Sequence, residues 1–354
     1  VTPLAGRVDA AGATATSVNA TVAADRHAAD GLYDFAVSGV ADNGAALVHV
    51  TGVVRVMRPG HRPPALAYVA NFFDNEVAPF DPRTHAIGQP ILVGELPREI
   101  AISPDGKRVY AADNGANKVS VIDTASQSVI ATVDVGRSPW GIRVSPNSST
   151  VWVANGGDNT VQAIDASTLA TKPAIAVGTN PEDLAISPDG SMLYVDDVAS
   201  DDVTPVDTRI GTALPPIPAG PHPRGIAISP DGKRLFVSDF GGNEVTPIDL
   251  VAKKAGTPIP VGVAPRELVV SPDGRTLYVA DFGSNEVSRI DLATNTPLPP
   301  IPAGLDPVAV GLDGSGTTLF VVDQDDNDCL PIDLSTLRAG APIPLGDRPM
   351  SFAI

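Results

Sequence analysis

The stretch Glu99 to Gly136, EIAISPDGKRVYAADNGANKVSVIDTASQSVIATVDVG, contains four short apolar runs, IAI, VYAA, VSVI and VIATV, separated by turn residues. Runs rich in β-branched and aromatic residues, too short for helices and bounded by Gly, Pro, Asn and Asp, read as strands. They are called A to D in chain order. Their near-continuous apolarity says that both faces of each small sheet are covered by neighbours.

The stretch is one copy of a repeat. The tetrapeptide YVAN at Tyr68 to Asn71 recurs as YAAD, WVAN, YVDD, FVSD, YVAD and FVVD, ending at Asn71, Asp113, Asn155, Asp197, Asp239, Asp281 and Asp323, a constant step of 42 residues. An aspartate ending strand C keeps the same step from Asp81 to Asp333, and so does a glycine from Gly94 to Gly346. A period near 40 with four strands per unit is the signature of a β-propeller blade, and seven units follow without insertion. Neither Trp140 nor Trp152 is followed by Asp, so the WD pattern does not apply. The motifs IAISPDGKRVY, YVAN, WVAN and VSVIDTA resemble the YVTN family of seven-bladed propellers, from about Pro63 to Ile354. That resemblance implies the fold and says little about function.

The first unit opens with strand B in ALAYVAN, whereas the closing residues DRPMSFAI supply a strand A with no B after it. The expectation is an all-β seven-bladed propeller over 63–354, with one blade built from both ends so that no seam of unpaired strand groups is left. Residues 1–62 form a separate N-terminal β segment whose stretches TATSVNATVAA, GLYDFAVSGV and ALVHVTGVVRVM look like part of an Ig-like module. Such strands invite self-association through an uncovered edge.

A net charge of −17 and a pI near 4.5 argue against nucleic acid and anionic membrane surfaces as partners. No apolar run is long enough to span a bilayer. The single cysteine, Cys329, excludes an intrachain disulfide framework and stands where other units carry valine. Prolines crowd strand D, as in LPPIPAG, which marks it as the outer edge of each blade. Those in strand C, Pro79, Pro205, Pro247 and Pro331, require a bulge or a missing ladder bond.

Because the units repeat, they are their own control. The SPDG turns and the aspartates ending strand C are uniform, hence dictated by blade geometry, with the carboxylates accepting from turn amides. The Asn or Asp ending strand B either caps the B–C turn or lines an upper rim able to attract a cation. After the D–A proline the ring instead reads Arg98, Trp140, Glu182, Arg224, Arg266, Val308 and Met350, and next to it Glu99, Gly141, Asp183, Gly225, Glu267, Ala309 and Ser351. No symmetry requirement explains that mixture. Together with Phe240 and Phe282 on the B–C loops and His222 in GPHPRG, the candidate ligand-binding set is Arg98, Trp140, Glu182, His222, Arg224, Phe240, Arg266 and Phe282. Arginine supplies bidentate donors and the aromatic rings a stacking face.

No catalytic constellation stands out, and no cofactor is implied beyond a weakly bound Ca2+. Asp323, Asp325 and Asn327 have the spacing of a calcium loop without its turn glycine or distal glutamate. The reading is a secreted or cell-surface binding module that uses the D–A/B–C loop face to hold a glycan, a peptide or protein, or a small anionic ligand. Its alternatives are a metal-dependent lyase or lactonase built on Glu182, Asp183 and His222, and a self-assembling structural surface protein.

Overall fold

The computed structural model describes residues 66–354 throughout and, before them, only the strands Leu4–Ala5, Thr21–Val22, Gly31–Val40 and Leu47–Val56. Gly31–Val40 and Leu47–Val56 pair as an antiparallel hairpin, Gly31 opposite Val56 and Val40 opposite Leu47. The rest of the Ig-like reading lies outside the described residues. The chain divides into two compact units, Val1–Leu66 with Pro79–Gln89, and Ala67–Ala78 with Pro90–Ile354.

Seven antiparallel sheets in the order A, B, C, D make the blades, called I to VII. Blade I is assembled from Pro349–Ala353, Ala67–Asn71, Glu76–Phe80 and Ile91–Leu92. Its closing strand pairs Ser351 with Ala70, Phe352 with Val69 and Ala353 with Tyr68. The A strands contact one another in an unbroken circle, Pro349–Ala353 touching both Pro97–Ile102 of blade II and Pro307–Leu312 of blade VII. Each apolar cluster is drawn from two adjacent blades. Tyr110, Ala112, Val119 and Val121 of blade II, for example, meet Ile142, Val151, Val153 and Ile164 of blade III. Alternate residues of one strand point to opposite neighbours, which is why the runs are apolar throughout.

Strand D is the exposed edge, and its inward isoleucines, such as Ile217, Ile259, Ile301 and Ile343, are buried. The register between strands B and C passes through Pro205, Pro247 and Pro331 without a shift. The missing donor therefore faces strand D, which in these blades is broken into two short pieces. Cys329 is fully buried in strand C of blade VII.

The recurring glycine and the residue ending strand B form one contact. A Cβ on Gly94 would stand 2.5 Å from the Asp113 carboxylate, and one on Gly136 would stand 2.6 Å from Asn155, so only glycine fits. The Gly220 amide donates to Asp239 at 3.0 Å, and the hydroxyls of Ser120, Thr204 and Thr246 donate to Asp113, Asp197 and Asp239 at 2.6 Å. These side chains are fully buried. They neither cap the B–C turn nor line a rim, because the D–A corner closes over them.

A second 42-residue series passes unnoticed in the sequence. Asn75, Asn117, Asn159, Asp201, Asn243, Asn285 and Asn327 all take φ of 55–57° in the B–C turn, a conformation Asn and Asp tolerate better than most residues. Each Oδ1 accepts the amide 21 residues on, from Leu96, Ser138, Asn180, His222, Ala264, Asp306 and Arg348, at 2.8–3.0 Å. Asn327 is thus a stitch between blades. Asp323 belongs to the buried series and Asp325 is exposed, so these three do not converge as a calcium loop. Among the described residues no group of three His, Cys, Asp or Glu is placed to hold a metal.

Two predictions follow from closure and from the buried acids. Removing Pro349 to Ile354 takes away strand A of blade I, and the melting temperature is expected to fall by about 10 °C or more, read by circular dichroism; an unchanged melt refutes closure through this strand. Burial is the largest cause raising Asp113 to about 6, Asp197, Asp239 and Asp281 to about 7, and Asp323 to about 8. In the folded chain these groups keep a proton that the unfolded chain releases near 3.8, so stability falls as pH rises from about 4 to 8. Asp105, Asp189 and Asp273 are instead depressed by turn hydrogen bonds, and their contribution disappears as pH drops below about 4. Melting should therefore be highest near pH 4. Asp281→Asn copies the native Asn71, whose Nδ2 donates to Glu76 at 3.0 Å. It should raise the melting temperature at pH 8.5 and flatten the profile; a lower melt at that pH contradicts the assignment.

Candidate functional site

In every blade, strand A pairs regularly except just after its opening proline, where the register slips against strand B. A bulge frees a residue from the ladder and re-aims its side chain. The seven residues so released are Arg98, Trp140, Glu182, Arg224, Arg266, Val308 and Met350. All seven line one funnel at the channel mouth, open to solvent. The register slip is invisible in the repeat pattern, yet it is what brings these side chains together.

Aromatic rings fix two of the arginines. The Arg98 guanidinium lies 4.6 Å from the Phe72 ring centre and 4.0 Å from that of Trp140; Arg266 lies 5.7 Å from Phe240 and 4.3 Å from Phe282. Arg224 is 4.8 Å from Phe240 and 3.4 Å from the Glu182 carboxylate. Cation–π contacts of this kind contribute about 0.5–2 kcal/mol each, more when water is excluded. Burial pushes Arg98 and Arg266 down to about 10, which leaves both charged at neutral pH. Burial likewise raises Glu182, opposed first by Arg224. The Nε atoms of Arg98, Arg224 and Arg266 are buried without a hydrogen-bond partner. His222 is exposed on its D–A corner and is not among the residues lining the funnel, so the structure separates it from the other candidates.

The second ring has a structural explanation that the sequence reading did not foresee. Glu99 Oε2 accepts the Ile142 amide and Asp183 Oδ2 the Ile226 amide, each at 3.1 Å, and Ser351 Oγ accepts the Ile100 amide at 3.1 Å. Glu267 receives the Val310 amide in the same way. Glu99, Asp183 and Glu267 reach blades III, V and VII, which carry Gly141, Gly225 and Ala309 at the same ring position, whereas Ser351 reaches blade II, where Glu99 stands. A Cβ on Gly141 would strike the Glu182 carbonyl, and one on Gly225 the Arg266 carbonyl. Hence the alternation of acceptors with Gly or Ala.

Below the mouth the charge inverts. Arg143 pairs with Glu99 and, at 2.8 Å, with Asp183, while Glu267 is raised to about 8 by burial against the opposing pull of Arg143. Asp196 was missed, although comparing blades could have found it. It is the one acid at a strand B position held by Ala70, Ala112, Ala154, Ser238, Ala280 and Val322 in the others. Its Oδ1 accepts the bulge amides of Glu182 and Asp183, so it positions Glu182. Burial, then Asp183, holds its carboxyl well above the usual range.

The fold and mouth together define a seven-bladed β-propeller with a polar, arginine-bearing channel entrance. No family model and no curated protein matches the chain. Among solved structures it is similar to one described as Kuenenia stuttgartiensis hydrazine synthase, with 24% identity over 73% of this chain and 89% of that one and a TM-score of 0.67. It is also similar to a functionally unknown protein from Desulfotomaculum acetoxidans DSM 771, with 18% identity over 80% of this chain and 97% of that one and a TM-score of 0.71. At these identities the likeness is one of fold.

Arg143→Met should leave Glu99 and Asp183 buried without their cation, at a cost of about 3–5 kcal/mol. The deficit, measured by denaturant unfolding, should be larger at pH 8 than at pH 5, where the carboxyls can take up protons; equal deficits would show that packing, not charge, was lost.

Proposed function

We propose that the chain is a binding module whose D–A/B–C face holds a small anionic ligand at the channel mouth. One observation carries this reading: three arginines share a single lining and their buried Nε donors lack partners, while the four carboxylates of that lining are engaged, Glu182 by Arg224, Glu99 and Asp183 by Arg143, and Glu267 by the Val310 amide. Guanidinium planes already fixed against aromatic rings lose little freedom on binding a carboxylate or phosphate. The lyase or lactonase alternative is less well supported. Glu182 and Asp183 are engaged by Arg224 and Arg143, and His222 is absent from the lining. Membership of the YVTN family and a secreted or surface setting belong to this reading as proposals resting on the repeat motifs and composition.

Calorimetric titration with succinate and with inorganic phosphate tests it. The parent should bind at least one of them, and Arg266→Ala and Arg98→Ala should weaken binding by about tenfold or more, since hydrogen bonds to charged groups contribute about 1.5–3 kcal/mol. Their melting temperatures should stay close to the parent's. A parent that binds no carboxylate or phosphate probe refutes the proposal.

A further inference from the structure

Resting on that reading, we infer that the anionic head of the ligand is a carboxylate joined to an apolar group, whose body lies on the arc of the mouth formed by Val308 and Met350. The first ring is sectored. Around the circle Arg224 and Arg266 come first, then Val308 and Met350, then Arg98 with Trp140, and last Glu182. The two aliphatic side chains are neighbours, with Arg266 on one side and Arg98 on the other. A small hydrated anion lying there would lose water to Val308 and Met350 and gain no hydrogen bond in return. An apolar substituent instead covers the part-exposed Met350 and packs against the buried Val308 while its carboxylate reaches the arginines.

The rim continues the same sector. The exposed large apolar residues of this face are Leu305 at 51%, Val263 at 52% and Phe73 at 51%. Val263 and Leu305 stand on the corners leading into blades VI and VII, and Phe73 on the B–C turn of blade I, where its ring lies 5.5 Å from the Arg348 guanidinium. At the corresponding corner positions other blades carry Glu95, Arg137, Thr179, Pro221 and Asp347. The remaining exposed large apolar residues, Leu92, Ile130, Ile210, Val251 and Leu337, belong to strand D or to C–D turns, away from this face. Among the described residues the exposed large apolar side chains of this face thus fall on one arc, interspersed with the exposed Asp325, Asp347 and Arg348. Either a free branched acid or the carboxyl end of a peptide finishing in an aliphatic residue has the required chemistry.

The test compares acetate, succinate and 4-methylpentanoate by calorimetric titration against the full chain. The branched acid should bind about tenfold or more tightly than acetate, in keeping with roughly 0.8 kcal/mol per buried methylene. Val308→Thr and Met350→Gln should each erode that advantage while leaving acetate unchanged, and Arg266→Ala should weaken binding of both by about tenfold or more. Met350→Gln, at a partly exposed position, serves if the Val308 variant melts early. Acetyl-Gly-Gly-Leu with a free carboxyl separates the sources: tighter binding than the free acid assigns a peptide end, weaker binding a small acid, and either supports the inference. If the amide of that peptide binds as well as its acid, the carboxylate head is wrong. Arg266-dependent binding of succinate or acetate as tight as that of the branched acid overturns the apolar body and leaves the anion reading standing. Failure of every carboxylate and of phosphate removes the anion reading itself.

Discussion

The D–A corner is the joint on which the ring depends. Its glycine lies over the buried side chain that ends strand B of the following blade, while the αL residue two positions on donates its amide to the Asx of the preceding blade's B–C turn. The corner is thus held from both sides, and the turn behind it adds backbone bonds, such as those from the Asn114 and Gly115 amides to Leu96 and Glu95. Three requirements follow together: glycine at one position, φ near 55° at another, and no change in corner length. A 42-residue step repeated without insertion is the sequence trace of these requirements.

Charge is distributed to serve the same geometry. At the strand C ends Asp123, Asp165, Asp207 and Asp333 are held below the usual carboxylate range by turn hydrogen bonds, as Asp165 is by the Ser167 and Thr168 amides at 2.9 and 2.8 Å. Aspartates under the corners are desolvated and tend to keep a proton. Native Asn71 and Asn155 occupy the same places, so the corner needs polar atoms of that shape rather than a charge. Along the channel, arginines predominate at the mouth and carboxyls immediately beneath, with Arg143 bridging the acids.

The architecture could be read from the repeat because each blade states the same apolar and turn pattern, and seven statements outweigh local ambiguity. Strand identity, the outer place of strand D and the split blade were all legible. What escaped was whatever depends on a residue's exact depth. The strand B ends look like rim acids until the corner is seen above them. Asn327 looks like a metal ligand until its partner at Arg348 is known. Glu99 and Asp183 do line the mouth, but the amides they accept on the next blade cannot be read from the ring. The mouth was half legible: variation among blades singled out the seven positions that share the funnel lining, but the bulge that turns them inward has no residue signature of its own. His222 was included because it adjoins Arg224 in sequence, and the αL corner turns it outward.

That bulge gives the entrance an unusual freedom. The side chains it releases are bonded to no ladder, and the stitches that close the circle use other residues. A replacement at these positions therefore leaves the ladder register and the corner in place, and touches only the side-chain contacts of the mouth itself, such as Arg98 on Trp140 and Arg224 with Glu182. The mouth can be varied blade by blade, like the characters of a seven-place combination, on a frame that need not be refolded for each new setting. Selection acting on recognition and selection acting on stability can then work on separate sets of residues in the same short unit.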